Sequence, residues 1–287
     1  MSIRLNRREL IQKGLAGFGA LSLPVALTAC RDDNQDTAGS TLKVQFLHGV
    51  ASGDPLHDRI ILWTRLTPND NAARLEVVWE ISADQDFKQL AASGRVITTA
   101  AQDFTVKVDA DRLQAGTHYY YRFRFGSVIS PVGQTKTLPQ RSDQVKFAVC
   151  SCSNYPAGYF HVYKEMAQEN NLDVIIHLGD YIYEYGQGGY ATDEAKQLGR
   201  TFAADNDKEI IKLDDYRKRY ALYRSDADLQ AAHQRYPFIV IWDDHELSND
   251  TWEAGAENHQ EGEGNFIERK LAALQAYFEW MPIRPVA

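Results

Sequence analysis

Two continuous apolar runs dominate the second half of the chain, Val174-Ile175-Ile176-His177-Leu178 and Phe238-Ile239-Val240-Ile241-Trp242. Each ends abruptly in polar residues, Gly179-Asp180-Tyr181-Ile182-Tyr183 after the first and Asp243-Asp244-His245-Glu246 after the second. Runs of this kind predict strands buried on both faces, as in a parallel sheet, and ligands gather at the carboxyl ends of such strands. Val145-Lys146-Phe147-Ala148-Val149-Cys150 predicts a further strand, followed by Ser151-Cys152-Ser153-Asn154. Between these runs the pattern becomes helical over 159–170, from Asp214 through Tyr223, and from Glu268 to Trp280, where Pro282 stops it. Asp214 and Asp215 suit the positive end of a helix. The stretch 187–207 is glycine-rich, then charged, and reads as an excursion over the sheet edge.

Before Pro139 the rhythm differs. Short strand-like segments separated by turn residues, such as Ile60–Leu66, Leu75–Ile81 and Thr105–Val108, predict a β-sandwich. In His118–Phe125 aromatic residues alternate with Arg122 and Arg124, which describes one core face and one wet face. Those aromatics serve either core packing or a ligand platform. The change of rhythm places a boundary near residues 139–143. The expected units are an N-terminal all-β domain over 46–139 and an α/β domain over 143–287.

The N-terminus reads as an export signal rather than structure. Asn6-Arg7-Arg8-Glu9 opens a twin-arginine pattern, an apolar segment runs from Gly14 to Ala29, and Leu27-Thr28-Ala29-Cys30 resembles a lipoprotein box. The expectation is a signal over 1–29, lipidation of Cys30, and a polar tether over 30–45. A soluble precursor cut nearby, or a mere apolar helix, is the alternative. The protein is then exported through the twin-arginine machinery, and is periplasmic or anchored to the cell envelope.

Loss of residues 1–29 removes four cations and one carboxylate, so the formal charge moves from −8 to −11. That balance disfavours nucleic acid and anionic membranes as partners. It permits an anionic substrate in a cleft dominated by a metal. The chain has 3 cysteines, too few for a disulfide scaffold.

The candidate chemistry lies at the strand tips. Glycine lets the chain turn and leaves room for an ion beside Asp180. An aspartate there can bridge two cations, or simply cap a helix. Tyr183, three positions on, reaches the same ion if 180–183 form a turn. Phenolate and carboxylate are hard donors that suit a ferric ion. Adjacent Asp243 and Asp244 are costly to leave unpaired after an apolar run, so cations or strong donors are expected beside them. The alternative there is a capped helix start with a satisfied histidine. Cys152 reads as a soft ligand, a nucleophile, or a small residue in a tight turn.

The chain resembles the PhoD family of alkaline phosphatases. VASGDP (50–55), LWTRL (62–66), SC (151–152), HLGDYIYEYG (177–186), YRSDADLQAAH (223–233), WDDHE (242–246) and AYFEWMPIRP (276–285) carry the resemblance, in order. The GDxxY block also resembles purple acid phosphatases, and Asp244-His245-Glu246 resembles their NHE block with Asp for Asn. The resemblance implies an αββα metallophosphatase sandwich preceded by a fibronectin-III-like sandwich. It implies Fe(3+) and Ca(2+) as cofactors, and hydrolysis of small phosphate monoesters and diesters by metal-activated water. Carried over by position, Cys152, Asp180 and Tyr183 hold the iron, and Asp180 bridges to calcium. Asp244 and Asn249 are further metal candidates, His245 contacts phosphate or aids the leaving group, and Cys150 is a core residue. The family's later GDVH-like blocks do not occur here. The resemblance therefore implies a C-terminally truncated domain that binds metal weakly and hydrolyses no ester by itself. A phospholipase D-like phosphodiesterase and a non-catalytic surface binding lipoprotein are the competing readings.

Overall fold

The computed structural model describes residues 42–70 and 74–285. The expected signal, Cys30 and most of the tether lie outside those residues. At the tether's end the chain is already bound in a sheet, because Val44 and Gln45 pair with Pro68 and Thr67.

Among the described residues thirteen strands and five α-helices follow in order. They are β1 (Val44–Gln45), β2 (Val50–Gly53), β3 (Ile60–Arg65), β4 (Thr67–Pro68), β5 (Leu75–Ser82), β6 (Ala92–Thr98), β7 (Thr105–Ala110), β8 (His118–Phe125), β9 (Val128–Ile129) and β10 (Gly133–Lys136). After them come β11 (Phe147–Cys150), α1 (His161–Gln168), β12 (Val174–His177), α2 (Ala195–Leu198), α3 (Leu213–Arg224), α4 (Ala227–Arg235), β13 (Pro237–Val240) and α5 (Phe266–Trp280). The helix α4 is absent from the sequence expectations. Its periodicity is broken by polar residues, and it is started instead by the Asp226 side chain, which accepts the Asp228 and Leu229 N–H groups.

One sheet is antiparallel in the order β10-β8-β5-β6, with β9 added to β8. Tyr119, Tyr121 and Phe123 of β8 face its core, while Arg122 and Arg124 both reach Glu80. The aromatic alternation is core packing here. A second sheet of six strands runs β11-β12-β13-β2-β3-β7. The compositional change near residue 140 therefore has no counterpart in hydrogen bonding, since β13 and β2 pair in parallel across it. Strand β3 is buried on both faces. Ile60 and Leu62 join the sandwich core, and Trp63 joins the core beneath the helices. This arrangement fixes the parallel strands rigidly against the sandwich.

The core under the helices takes Ile175 and Phe238 from one face of β11–β13. The opposite face is apolar and open. Val149, Ile176 and Ile239 stand side by side in register, and Phe147, Val149 and Ile241 are 52%, 50% and 56% exposed. An apolar patch of this kind marks a surface meant to be covered.

The last helix is clamped to the sandwich by charge. Arg284 holds Asp109 and Asp54, and the Lys107 ammonium donates to the Phe278 carbonyl. Removal of that ammonium from water lowers its pKa from 10.5 to about 7, against the attraction of Asp54 and Glu279. The unfolded chain keeps this proton between about pH 7 and 10.5, whereas the folded chain releases it, so stability rises with pH across that window. Lys107→Met should flatten that rise. Urea midpoints at pH 7 and pH 10 for the two proteins measure it, and an unchanged difference would rule out Lys107 as its source.

Candidate metal centre

Three adjacent parallel strands deliver the candidate donors at their carboxyl ends. Cys152 follows β11, Asp180 follows β12, and Asp244 with His245 follows β13. The ladder continues into the loops, where Cys152 N–H donates to Gly179 O (3.1 Å) and Ser153 N–H to Asp180 O (2.9 Å). Both Cys152 (φ 60°) and Asp180 (φ 55°) sit in the left-handed region. Non-glycine residues held there are strained, and such strain collects at functional sites. Gly179 (φ 107°) has a separate reason for being glycine. A Cβ there would lie 2.4 Å from Asp243 N, so no side chain fits where the two loops touch.

The Asp180 carboxylate is the focus. Its Oδ2 accepts Tyr183 O–H (3.2 Å) and Cys152 S–H (3.4 Å). Its Oδ1 is buried with no protein partner. Donor atoms of Asp180, Asp244 and His245 lie within 4.8 Å of one another. Burial raises the Asp180 pKa and the nearby Asp244 and Asp243 carboxylates add to that, while His245 and Cys152 oppose it. Burial first, and then the charge of Asp180, pushes the Tyr183 phenol far up. An orphaned carboxylate oxygen, crowded acids, a thiol and a phenol form a donor set that fits a cation.

His245 is oriented by a residue absent from the sequence reading. Its Nδ1 meets Glu184 Oε2 at 2.8 Å, and its ring stacks on Tyr183 with centroids 4.3 Å apart. Glu184 is fully buried, and its Oε1 accepts Asn249 N–H and the Asn258 side-chain amide, both at 2.8 Å. Burial favours its neutral form, but these bonds outweigh it and hold the pKa below the ordinary value. For His245, burial lowers the pKa, and Glu184, Asp180 and Asp244 more than reverse that. Asn249 uses its side-chain amide on Glu257 Oε2 (2.9 Å) and its backbone N–H on Glu184. Cys150 packs against the core, and burial raises its thiol to about 11.

Two further buried groups lock the loops together. Glu246 accepts Asp180 N–H (3.1 Å) and Asp243 N–H (2.9 Å) on Oε2, and Tyr181 N–H (2.6 Å) on Oε1. Burial pushes its pKa up to about 7 against those three donors. His177 Nδ1 accepts Gly179 N–H (3.2 Å), so Nε2 carries the proton toward Tyr163 O–H (3.0 Å) and Ser153 Oγ (3.2 Å). Burial lowers this histidine to about 4 and keeps it neutral. The one signal for Glu184 in the sequence is a carboxylate set among aromatics at 181–185, where an unpartnered charge is costly.

Comparisons with known proteins agree with this geometry. The family model described as PhoD-like phosphatase matches residues 147–287, and its N-terminal domain model matches residues 32–139. Alkaline phosphatase D of Bacillus subtilis (strain 168) is 41% identical over 289 residues, which covers 97% of this chain and 48% of that protein. A solved structure titled "Structure of PhoD" superposes with a TM-score of 0.75 and 44% identity, over 83% of this chain and 46% of that one. The chain thus spans about half the length of each of these relatives. With both family models matched in sequence order and the fold superposed, the chain belongs to the PhoD-like phosphatase family.

Proposed function

We propose that this chain supplies the first half of the metal site of an exported phosphoric ester hydrolase acting on phosphate monoesters and diesters. The observation that carries the reading is the convergence of Cys152, Tyr183, Asp180, Asp244 and His245 at the ends of three adjacent strands. Cys152, Tyr183 and Asp180 would hold a ferric ion. The orphaned Asp180 Oδ1 and Asp244 would face calcium. Cations held there supply charge that polarises the phosphoryl oxygens and acidifies a nucleophilic water. The open apolar face of β11–β13 supports completion of the domain by a second sheet. Export and lipidation at Cys30 belong to the same reading, carried by residues 1–30.

The chain's own residues divide the remaining work. Glu184 fixes the Nδ1 proton of His245, so Nε2 is the nitrogen left for the substrate. Against burial, Glu184, Asp180 and Asp244 raise the His245 pKa, which favours the protonated ring that can bind a phosphoryl oxygen or hand its proton to the leaving oxygen. Tyr183 supports the ring from below.

In a protein with the domain complete, His245→Gln should slow alkyl phosphate hydrolysis about 10²–10⁴-fold. Esters of 4-nitrophenol, whose leaving group needs no proton, should lose much less. Equal losses for both ester types would remove His245 from the proton-donor role.

A further inference from the structure

The aromatic residues beside the metal donors form a row that ends in an exposed ring. Tyr183 stacks on His245 at 4.3 Å and 30°, and Tyr190 stacks on Tyr183 at 5.9 Å and 20°. Tyr190 is nonetheless 59% exposed. Its ring is held by Tyr183 and Tyr185 on the protein side, and the rest of it meets solvent.

The same cavity, of about 350 Å³, is lined by Cys152, Tyr183, Tyr190, Tyr159 and Phe160. Tyr159 is 56% exposed as well. It is fixed in place by its hydroxyl on the Leu198 carbonyl (3.2 Å) and by stacking on His161 (5.2 Å, 20°). Two anchored, half-open tyrosines therefore border a cavity that is continuous with a metal-donor thiol. Exposed rings that are rigid lose little entropy on binding, and a flat partner extends a stacked row at little cost.

We propose that Tyr190 and Tyr159 form a stacking platform for a flat ring carried by the phosphate ester. Position sets the kind of ester. Stacking steps of 4.3 and 5.9 Å separate the Tyr190 ring from His245, so a ring stacked on Tyr190 stands off from the phosphorus. A base joined to phosphate through its sugar has that form, whereas an aryl phosphate has its ring on the ester oxygen itself. The substrate class is thus a nucleoside phosphate or a phosphodiester with a nucleoside on one side. This inference rests on the phosphatase reading for the position of phosphate, but its test needs neither metal nor turnover.

Adenosine and ribose, both without phosphate, are titrated into the intact chain and followed by saturation-transfer NMR. Adenosine should bind, ribose should not, and Tyr190→Ala should weaken adenosine about fivefold or more. Tyr190→Phe should restore it, because stacking needs the ring and not the hydroxyl. Tyr159→Ala, a second exposed site, should weaken it in the same direction. Failure of the wild-type chain to prefer adenosine over ribose overturns the platform, as does unaltered binding by both alanine variants with native circular dichroism. Phosphate release in a completed domain tests the phosphatase reading separately, so either idea can fail while the other stands.

Discussion

Asp180→Asn should strip the site of its bridging charge while leaving the fold in place. The carboxylate already accepts the Tyr183 hydroxyl and the Cys152 thiol on one oxygen, and its other oxygen is buried without a partner. The amide is nearly the same shape, keeps an acceptor for Tyr183, and eases the repulsion from Asp243 and Asp244. Thermal stability of the metal-free chain should therefore hold or rise slightly. Metal content after loading with ferric iron and calcium should fall to well below half of the wild-type value. In a completed domain, phosphate release should drop by about a thousandfold or more, since several kcal/mol of charge stabilisation go with the carboxylate. Elemental analysis and a phosphate assay read both. Full metal content with normal turnover would refute the bridging role.

Glu246→Ala should instead damage the fold around the site. Two buried backbone N–H groups, of Asp180 and Tyr181, and the half-buried N–H of Asp243 lose the carboxylate they share. Each orphaned buried donor costs about 1–3 kcal/mol, so a total near 4 kcal/mol is expected after partial relaxation. Glu246→Gln keeps an acceptor oxygen but turns a donor toward at least one N–H, and should lose less than the alanine variant. Urea denaturation of the three proteins gives the order. A loss under about 1 kcal/mol for the alanine variant would mean that water replaces the carboxylate without cost, and the clamp would have no energetic content. Weaker metal uptake should accompany the loss, because Glu246 spans the 66 residues that separate it from Asp180.

The strands bearing the donors were legible because an apolar run and its polar tip are neighbours in sequence. Val174–His177 lies inside the run that predicted it, Phe147–Cys150 inside another, and Pro237–Val240 starts one residue before its run. The helix starting near Asp214 was legible for the same reason, being set by local spacing and by acids in its first turn. The family blocks then tied Cys152, Asp180, Tyr183, Asp244 and His245 into one set, and the structure brings those residues together. Asn249, the remaining metal candidate, has its side-chain amide engaged by Glu257.

By itself, then, the sequence determined that the three donor-bearing segments are strands and which donor types follow them, while Val50–Gly53, Ala92–Thr98 and Gly133–Lys136 were not among its expectations. Tertiary structure alone decided how they are held. Glu184 on His245, Glu246 across two loops and His177 beneath Gly179 and Ser153 depend on the register of β11, β12 and β13, which no single segment encodes. The sheet that runs from β13 into β2 is of the same kind, as its pairing joins segments far apart in the chain. Periodicity reports the faces of an element, because these depend on residues two to four positions apart. Partners across elements follow from packing, which selects among many sequence-compatible pairings by burying apolar faces and leaving no buried polar group alone.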